Sequence, residues 1–412
     1  MPRLSRFVLW CRLPACLLSI APLLGWLLPP QISHAAEAIR SVSVGSNREL
    51  RINGQPFFPL MAWLQDPQNF PLLRKTGMNC TAGYWPHSGG TRDVADYLEQ
   101  VRKSGLFGVM PFDKRLKNHP ALLGYIQDDE PDLAPRDLLK GDASKRVRQT
   151  PSTTQAYYGA IRQWDPSRPV FLTLTGDFLP FFGKFTDEDR ALVYPDYVES
   201  SDVVGFDIYP IYGWNKPEWL YLVHDATKRL VQLAGARPVY AWIETSRGGQ
   251  YTGALENQAL VKPEHIRAEV WMAICRGATA IGYFTHVWKP SYKQFGVPPE
   301  NQKALREINE QITQLAPEIL ATPSKRNIIA LSKNGVRVDV MARETSATLT
   351  LFAVNYDPAA RETEVEFQMQ SAPEGARDVE VVDENRRLPL DEARRFRDHF
   401  AALEVHVYRL KL

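Results

Sequence analysis

The sequence of 412 residues predicts an α/β fold, a (β/α)8 TIM barrel followed by a small C-terminal antiparallel β-sandwich domain. Between residues 57 and 320, eight short apolar runs alternate with helix-like patterns, and such alternation predicts parallel strand pairing. Eight parallel strands that close on one another need about 250 residues, which matches this span. Beyond residue 326, apolar and polar residues alternate between regularly spaced turns, as is typical of an antiparallel sandwich with one buried face.

The eight strands are predicted at residues 57–63, 78–85, 106–113, 122–130, 169–177, 202–210, 238–245 and 278–287. The segments between most of them carry apolar residues at three- and four-residue spacing and several stop at a glycine, as helices do. A small hairpin with Asn53 and Gly54 at its turn precedes the first strand. An open doubly wound sheet is the alternative, but it usually has fewer strands and a glycine-rich first turn.

The first 35 residues are predicted to be a cleaved signal peptide. Three arginines precede an apolar run from Leu13 to Leu28, and small residues follow up to Ala35. A membrane anchor is the alternative, but prolines interrupt the run, which is short for a span of about 20 apolar residues. We therefore expect a secreted or periplasmic protein, with the barrel at 36–322 and the sandwich at 323–412.

The composition of the chain without its signal peptide argues against several classes of protein. Without three N-terminal arginines the chain has 46 basic and 47 acidic side chains, a balance that argues against a nucleic-acid partner. Cys80 and Cys275 remain, either as one disulfide or as two buried thiols. The sequence has no CxxC, HExxH, GxGxxG or GxxxxGK, so we expect neither a metal nor a cofactor.

Acids and aromatic residues end most of the predicted strands. In barrels of this kind the active site lies at the carboxyl ends of the strands. Aromatic faces stack on sugar rings and carboxylates bind hydroxyl groups, so this pattern is typical of a carbohydrate site. The strand-end residues that we expect to contact substrate are Trp63, Trp85, Asp129, Asp207, Tyr209 and Trp288. The alternative for the three tryptophans is core packing, and for Asp207 and Tyr209 it is plain polarity of the rim.

Glu130 and Glu244 are the candidate catalytic pair. Cleavage of a glycosidic bond uses two carboxyl groups, one that protonates the leaving oxygen and one that attacks or activates water. Both glutamates follow apolar runs, at the ends of predicted strands four and seven. The alternative for Glu244 is a salt bridge with Arg247.

The stretch "LLGYIQDDEPD" at 122–132 holds four carboxylates around one proline. Strand alternation predicts Asp128 and Glu130 on one face and Asp129 on the other. The alternative, a calcium loop, does not match the spacing of known loops of that kind. Asp132 is interpreted as a loop residue.

These motifs resemble those of the clan A glycoside hydrolases, retaining enzymes on a (β/α)8 barrel. The resemblance implies that Glu130 in "DDEP" is the acid/base and that Glu244 in "AWIET" is the nucleophile. It further implies that Tyr209 in "FDIYP" bonds the nucleophile and that Trp288 in "FTHVW" floors a sugar subsite. One departure is Asp129, where the family has asparagine. We expect this aspartate to accept but not donate a hydrogen bond, and its charge to raise the pKa of Glu130.

The sequence thus predicts an exported retaining glycoside hydrolase that cleaves a β-linked oligo- or polysaccharide without a cofactor. Asp129 favours a different class, a non-catalytic carbohydrate-binding or surface protein on a glycosidase-like barrel. A third possibility is a hydrolase that uses a divalent cation on the acidic cluster.

Overall fold

The computed structural model describes residues 38–85, 93–133 and 146–412. The predicted signal peptide, residues 1–35, lies outside the described residues and stays a prediction. Within the described ranges, no helix combines the length and the hydropathy needed to cross a membrane.

A three-stranded antiparallel sheet opens the described chain, with strands β1 (Val42–Val44), β2 (Leu50–Ile52) and β3 (Gln55–Phe57). Strands β2 and β3 form the predicted hairpin. Asn53 and Gly54 at its turn have φ angles of 53° and 83°. Positive φ at both central residues is what a type I′ turn requires, and Asn-Gly adopts it at little cost.

Eight parallel strands then form a closed barrel, as predicted, and the last strand pairs with the first. This closure excludes the open doubly wound sheet. The barrel strands are β4 (Leu60–Trp63), β5 (Cys80–Ala82), β6 (Phe107–Pro111), β7 (Leu122–Ile126), β8 (Val170–Thr175), β9 (Val203–Asp207), β10 (Val239–Glu244) and β11 (Ala280–Phe284).

Large aromatic side chains of β10 fill the barrel interior. A Cβ atom at Gly205 or Gly282 would lie 2.2 Å from the ring of Tyr240 or Trp242, respectively, so only glycine fits at these two places. The Thr173 hydroxyl bonds the Tyr240 hydroxyl at 2.8 Å and accepts the Trp242 indole N–H at 3.2 Å. The interior is therefore a packed core, and a ligand can bind only above it.

Helices surround the barrel, and their ends follow the sequence signals. Asp93 accepts the backbone N–H groups of Ala95 and Asp96, and Thr150 accepts that of Thr153, as N-cap residues do. The helices are α1 (Phe70–Lys75), α2 (Val94–Lys103), α3 (Pro151–Trp164), α4 (Asp187–Glu199), α5 (Pro210–Trp214), α6 (Tyr221–Ala234), α7 (Pro263–Cys275) and α8 (Pro299–Ile319).

The C-terminal part is the predicted antiparallel β-sandwich. Its strands are β12 (Thr322–Pro323), β13 (Ile328–Ser332), β14 (Val338–Glu344), β15 (Thr348–Asn355), β16 (Thr363–Met369), β17 (Asp378–Val381), β18 (Arg386–Pro389), β19 (Arg395–Phe400) and β20 (Val405–Lys411). They form a six-stranded and a three-stranded sheet. The Trp271 ring of α7 stacks on Phe352 of β15 at 5.6 Å, so the sandwich packs on the helix layer. The domain limits at residues 322 and 323 stay a prediction.

Both remaining cysteines, Cys80 and Cys275, are buried free thiols in this structure. The possible disulfide between them is therefore not formed.

Candidate active site

A cavity of about 560 Å³ opens at the carboxyl end of the barrel. Its size is in the usual range for small-molecule sites, about 300–1,000 Å³. The loops that follow β7 to β11 line it, through Asp129, Glu130, Leu133, Thr175, Gly176, Asp177, Phe182, Lys184, Asp207, Tyr209, Tyr212, Gly213, Trp214, Gln250, Tyr251, Phe284 and Trp288. We refer to it as the mouth cavity.

The segment that carries Glu130 is a tight turn. Strand β7 ends at Ile126, four residues earlier than predicted, and Glu130 has a φ of 49°. The Glu130 N–H donates to the Thr173 carbonyl at 3.2 Å. Arg148 donates to the Asp129 carbonyl at 2.7 Å and lies 3.3 Å from the Glu130 carboxylate. The prediction that strand alternation orients these carboxylates is therefore wrong, because a turn orients them.

Asp132 holds this turn in place. It is fully buried, and its carboxylate accepts the Thr175 N–H at 2.9 Å, the Thr175 hydroxyl at 2.7 Å and the Tyr194 hydroxyl at 3.0 Å. Burial raises its pKa to about 7, although these three donors oppose the rise. Asp132 lies in a loop, as interpreted from the sequence, and it also ties the Glu130 turn to the end of β8.

Of the four carboxyl groups that line the mouth cavity, three meet there, those of Asp129, Glu130 and Asp207, and the fourth, of Asp177, is paired with Lys184 at 2.8 Å. Asp207 is the last residue of β9, and its side chain faces Glu130. Among the described residues its buried Oδ1 atom has no hydrogen-bond partner. Burial first, and then the charges of Glu130 and Asp129, raises the pKa of Asp207 well above its ordinary value.

Burial and neighbouring charge also act on the Asp129 carboxyl group. Burial, followed by the neighbouring Glu130 charge, raises the pKa of Asp129 to about 8. A carboxyl group with a raised pKa keeps its proton to higher pH, and in that form it can donate a hydrogen bond, as an asparagine does. That Asp129 only accepts a hydrogen bond stays a prediction, and it took no account of this burial.

The structure does not bring Glu244 into the mouth cavity. Its side chain is fully buried, is not among the lining residues, and accepts the backbone N–H of Ile211 at 2.9 Å and that of Tyr212. Strand β10 pairs it with Phe284 of β11, and Phe284 does line the cavity. Burial raises its pKa to about 7, against the two N–H donors. Its role as nucleophile stays a prediction.

Two contacts considered for Glu244, the alternative salt bridge with Arg247 and the implied bond from Tyr209, are not made among the described residues. The Arg247 guanidinium donates to the Gln258 carbonyl at 3.2 Å, and no salt bridge joins it to Glu244. The Tyr209 hydroxyl, implied to bond the nucleophile, is not among the hydrogen-bond donors to Glu244. Tyr209 instead lines the mouth cavity, with its ring 4.9 Å from that of Phe284.

Glu269 on α7 is a residue that the sequence analysis missed. It is fully buried, faces Glu244, and neither of its carboxyl oxygens has an N–H or O–H partner among the described residues. Burial and the Glu244 charge raise the pKa of Glu269 well above its ordinary value. The available signal was an acid beside the apolar run "VWMAI" of a buried helix.

The candidate aromatic residues separate into two groups. Trp288 lies parallel to Phe284, with ring centroids 6.1 Å apart and an interplanar angle of 4°, and both line the mouth cavity. Trp63 is half-buried and packs on Trp242 at 5.3 Å, outside the mouth cavity. Trp85 lies outside the mouth cavity and lines a neighbouring cavity with Tyr292. The structure therefore joins Trp288 to Asp129, Glu130, Asp207 and Tyr209, and leaves Trp63 and Trp85 apart.

An aromatic cluster extends from the mouth cavity to the surface. Phe182 and Trp214 line the cavity edge with rings 5.1 Å apart, and Trp214 lies 6.2 Å from Trp219. Phe181 meets Trp219 at 4.9 Å. Trp214 is 40% exposed, so its ring is available to a ligand that extends beyond the cavity.

No group of three or more His, Cys, Asp or Glu side chains in the described part of the chain is arranged to hold a metal ion.

Comparisons with known proteins bear on the fold. A scan of protein-family models and a search of curated proteins gave no match. Among solved structures, the chain is similar to a family 5 glycoside hydrolase from Bacteroides vulgatus, with 12% identity, a TM-score of 0.52, and 90% of this chain and 93% of that chain covered. A second structure, described as a glycoside hydrolase, gives 12% identity, a TM-score of 0.51, and coverage of 90% and 96%.

A β-glucuronidase from Ruminococcus gnavus matches over 66% of this chain with 12% identity and a TM-score of 0.45. The present chain spans about half of that longer protein, 53% of its length. Taken together, the two full-length similarities show that this chain has the barrel-and-sandwich fold found in glycoside hydrolases.

Proposed function

We propose that this chain is a glycoside hydrolase that cleaves a β-linked oligo- or polysaccharide in the mouth cavity. The observation that carries the proposal is the meeting of three carboxyl groups, of Asp129, Glu130 and Asp207, with the rings of Tyr209 and Trp288 in one cavity. A carboxyl group that holds a proton beside one that is ionised is what acid/base cleavage of a glycosidic bond needs. The rings offer flat apolar faces to a sugar.

Glu130 is the carboxyl group for which the geometry gives most support. It lines the cavity, and hydrogen bonds to β8 and to Arg148 fix its turn. In the mechanism that the resemblance implies, a retaining double displacement, Glu130 is the acid/base and Glu244 is the nucleophile. That mechanism requires the fully buried Glu244 carboxyl group to reach the substrate. Export of the protein is a further part of the proposal and rests on residues 1–35.

The experiment is a product profile of the purified protein on a panel of β-linked polysaccharides and aryl β-glycosides. We expect hydrolysis of at least one member, and a loss of about 10²- to 10⁴-fold in kcat for Glu130→Gln, the range for removal of an acid/base group. Asp113→Asn is the matched control, since Asp113 also follows a barrel strand but is paired with Arg115 at 2.7 Å outside the cavity. Binding without hydrolysis across the panel would contradict the proposal and favour a carbohydrate-binding protein.

A further inference from the structure

A second cavity, of about 550 Å³, lies between the loops that follow β10 and β11. We refer to it as the basic cavity, and its walls include Arg247, Lys262, Lys289 and Lys293. The same two loops also contribute to the mouth cavity, but the two cavities have no described lining residue in common. Trp288 lines the mouth cavity, whereas Val287 and Lys289 on either side of it line the basic cavity. The basic cavity is therefore a separate place at the same end of the barrel.

Basic side chains dominate the charge of this second cavity. Four of the described residues that line it are basic, and one, Glu300, is acidic. The described lining of the mouth cavity has the opposite balance, with four carboxyl groups and one lysine, Lys184. An anionic ligand is therefore attracted to the basic cavity and repelled by the mouth cavity.

Arg247 and Lys289 are the half-buried members of this basic set. The Arg247 guanidinium donates to the Gln258 carbonyl at 3.2 Å, and the Lys289 ammonium donates to the Gly253 carbonyl. Within the described part of the chain, no carboxylate forms a salt bridge with either cation. Two partly desolvated cations thus lack a counterion, and a guanidinium can hold two oxygens of one oxyanion.

The ends of two long helices add to the positive potential. The N-cap residues of α7 and α8 are Lys262 and Pro298, and both line the basic cavity. Neither side chain can accept a hydrogen bond from the first turn of its helix. The first-turn N–H groups have no partner inside a helix, and the helix dipole places its positive end there. The buried hydroxyl of Ser246, in the same wall, is a further group with no partner among the described residues.

The rest of the wall is largely apolar and includes Leu255, Val261 and Val287. Apolar walls lower the local dielectric constant, and this strengthens the attraction between a bound anion and the basic groups. They also offer contact to the carbon skeleton of a ligand. The volume is in the usual range for small-molecule sites.

We infer that the basic cavity is a binding site for an oxyanion group, a carboxylate or a phosphate, which Arg247 and Lys289 hold. A uronic acid unit of a polysaccharide and free phosphate both carry such a group, and the experiment below separates these two sources. The inference goes beyond the proposed function and does not rest on it, because the basic cavity contains none of the residues to which we assign hydrolysis.

The test is isothermal titration calorimetry of the purified protein with sodium glucuronate, inorganic phosphate and neutral glucose. We expect at least one of the two anions to bind with one ion per chain, and glucose not to bind at the same concentrations. Arg247→Gln should weaken the anion binding by about tenfold or more, the value of a charge-assisted hydrogen bond. Arg306→Gln is the matched control, with binding expected at the wild-type strength. Arg306 is exposed on α8, pairs with Glu310 at 2.8 Å and lies outside the cavity.

Each outcome decides the question. Binding of glucuronate alone identifies an acidic sugar as the ligand, binding of phosphate alone identifies a free inorganic anion, and binding of both shows that the oxyanion group suffices. Binding of neither anion, or glucose binding as tight as that of glucuronate, overturns the inference. Unchanged binding in Arg247→Gln also overturns it, as does an equal loss in Arg306→Gln, since the effect then follows net charge alone.

Thermal unfolding reports whether each variant is folded. If Arg247→Gln does not fold, Lys289→Gln replaces it with the same expected loss. Lys303→Gln is then the control, because Lys303 lies outside the cavity and pairs with Glu307 at 2.6 Å. Wild-type anion binding in a folded Lys289→Gln variant contradicts the inference.

Discussion

Replacing Asp132 by asparagine should remove the contribution of this carboxyl group to the pH dependence of the free energy of unfolding. Asp132 is fully buried below the Glu130 turn, and its neighbours Thr175 and Tyr194 donate to it in this structure. The amide has nearly the same shape as the carboxyl group and does not titrate. The comparison of Asp132→Asn with the wild type therefore isolates the proton of one buried side chain.

The size of the effect follows from the pKa. Burial raises the pKa of Asp132 from 3.8 to about 7. Between these two pH values, the folded protein therefore keeps a proton that the unfolded chain has lost. The stabilisation that the protonated Asp132 side chain contributes is fully present below its pKa in the unfolded chain. It is lost as the pH rises toward its pKa in the folded protein. Each pH unit corresponds to about 1.36 kcal/mol, so the whole window corresponds to roughly 4 kcal/mol.

The assay is urea unfolding of both proteins at pH values from about 4 to 8. The free energy of unfolding of the wild type, relative to that of Asp132→Asn, should fall by roughly 4 kcal/mol across this range. Asp113→Asn is the control, because hydrogen bonds from Arg115 lower the pKa of Asp113, so that this carboxyl group stays ionised across the range and the difference from the wild type should be constant with pH. A difference between wild type and Asp132→Asn that is constant with pH would refute the reasoning.

Two further predictions concern the cavity. Asp129→Asn should extend activity to higher pH, because burial beside Glu130 raises the pKa of Asp129 and its ionisation adds a charge that asparagine never carries. The kcat/KM profiles of the two proteins against pH measure this, and superimposable alkaline limbs would contradict it. Trp214→Ala should lower kcat/KM for a polysaccharide by about two- to tenfold, the value of one aromatic stacking contact, and affect a short aryl glycoside less. Equal losses on the long and short substrates would show that Trp214 does not bind an extended chain.

The barrel could be predicted because its signals are local. Each of the eight strands is a short run of apolar residues between turn and helix patterns, and all eight are found in the closed ring. The hairpin at Asn53 and Gly54 was predictable for the same reason, since the turn requires positive φ at two adjacent residues. Strand ends were less predictable, as β7 shows by stopping at Ile126.

The arrangement of the carboxyl groups depends on contacts between distant segments. Asp132 is anchored by Thr175 and Tyr194, which lie 43 and 62 residues away in the chain. Glu269 meets Glu244 only because α7 packs against β10. The alternation of apolar and polar residues along one strand gives no information on these contacts between distant segments. The sequence therefore indicated which acids end the strands, but not which of them share a cavity.

The central claim is that Glu130, which lines the mouth cavity, is a reacting carboxyl group. The most direct measurement compares the hydrolysis of a β-linked polysaccharide by the wild type and by Glu130→Gln, with thermal unfolding to show that the variant is folded. We predict a loss of about 10²- to 10⁴-fold in kcat for the folded variant. A wild-type kcat in Glu130→Gln would contradict the claim.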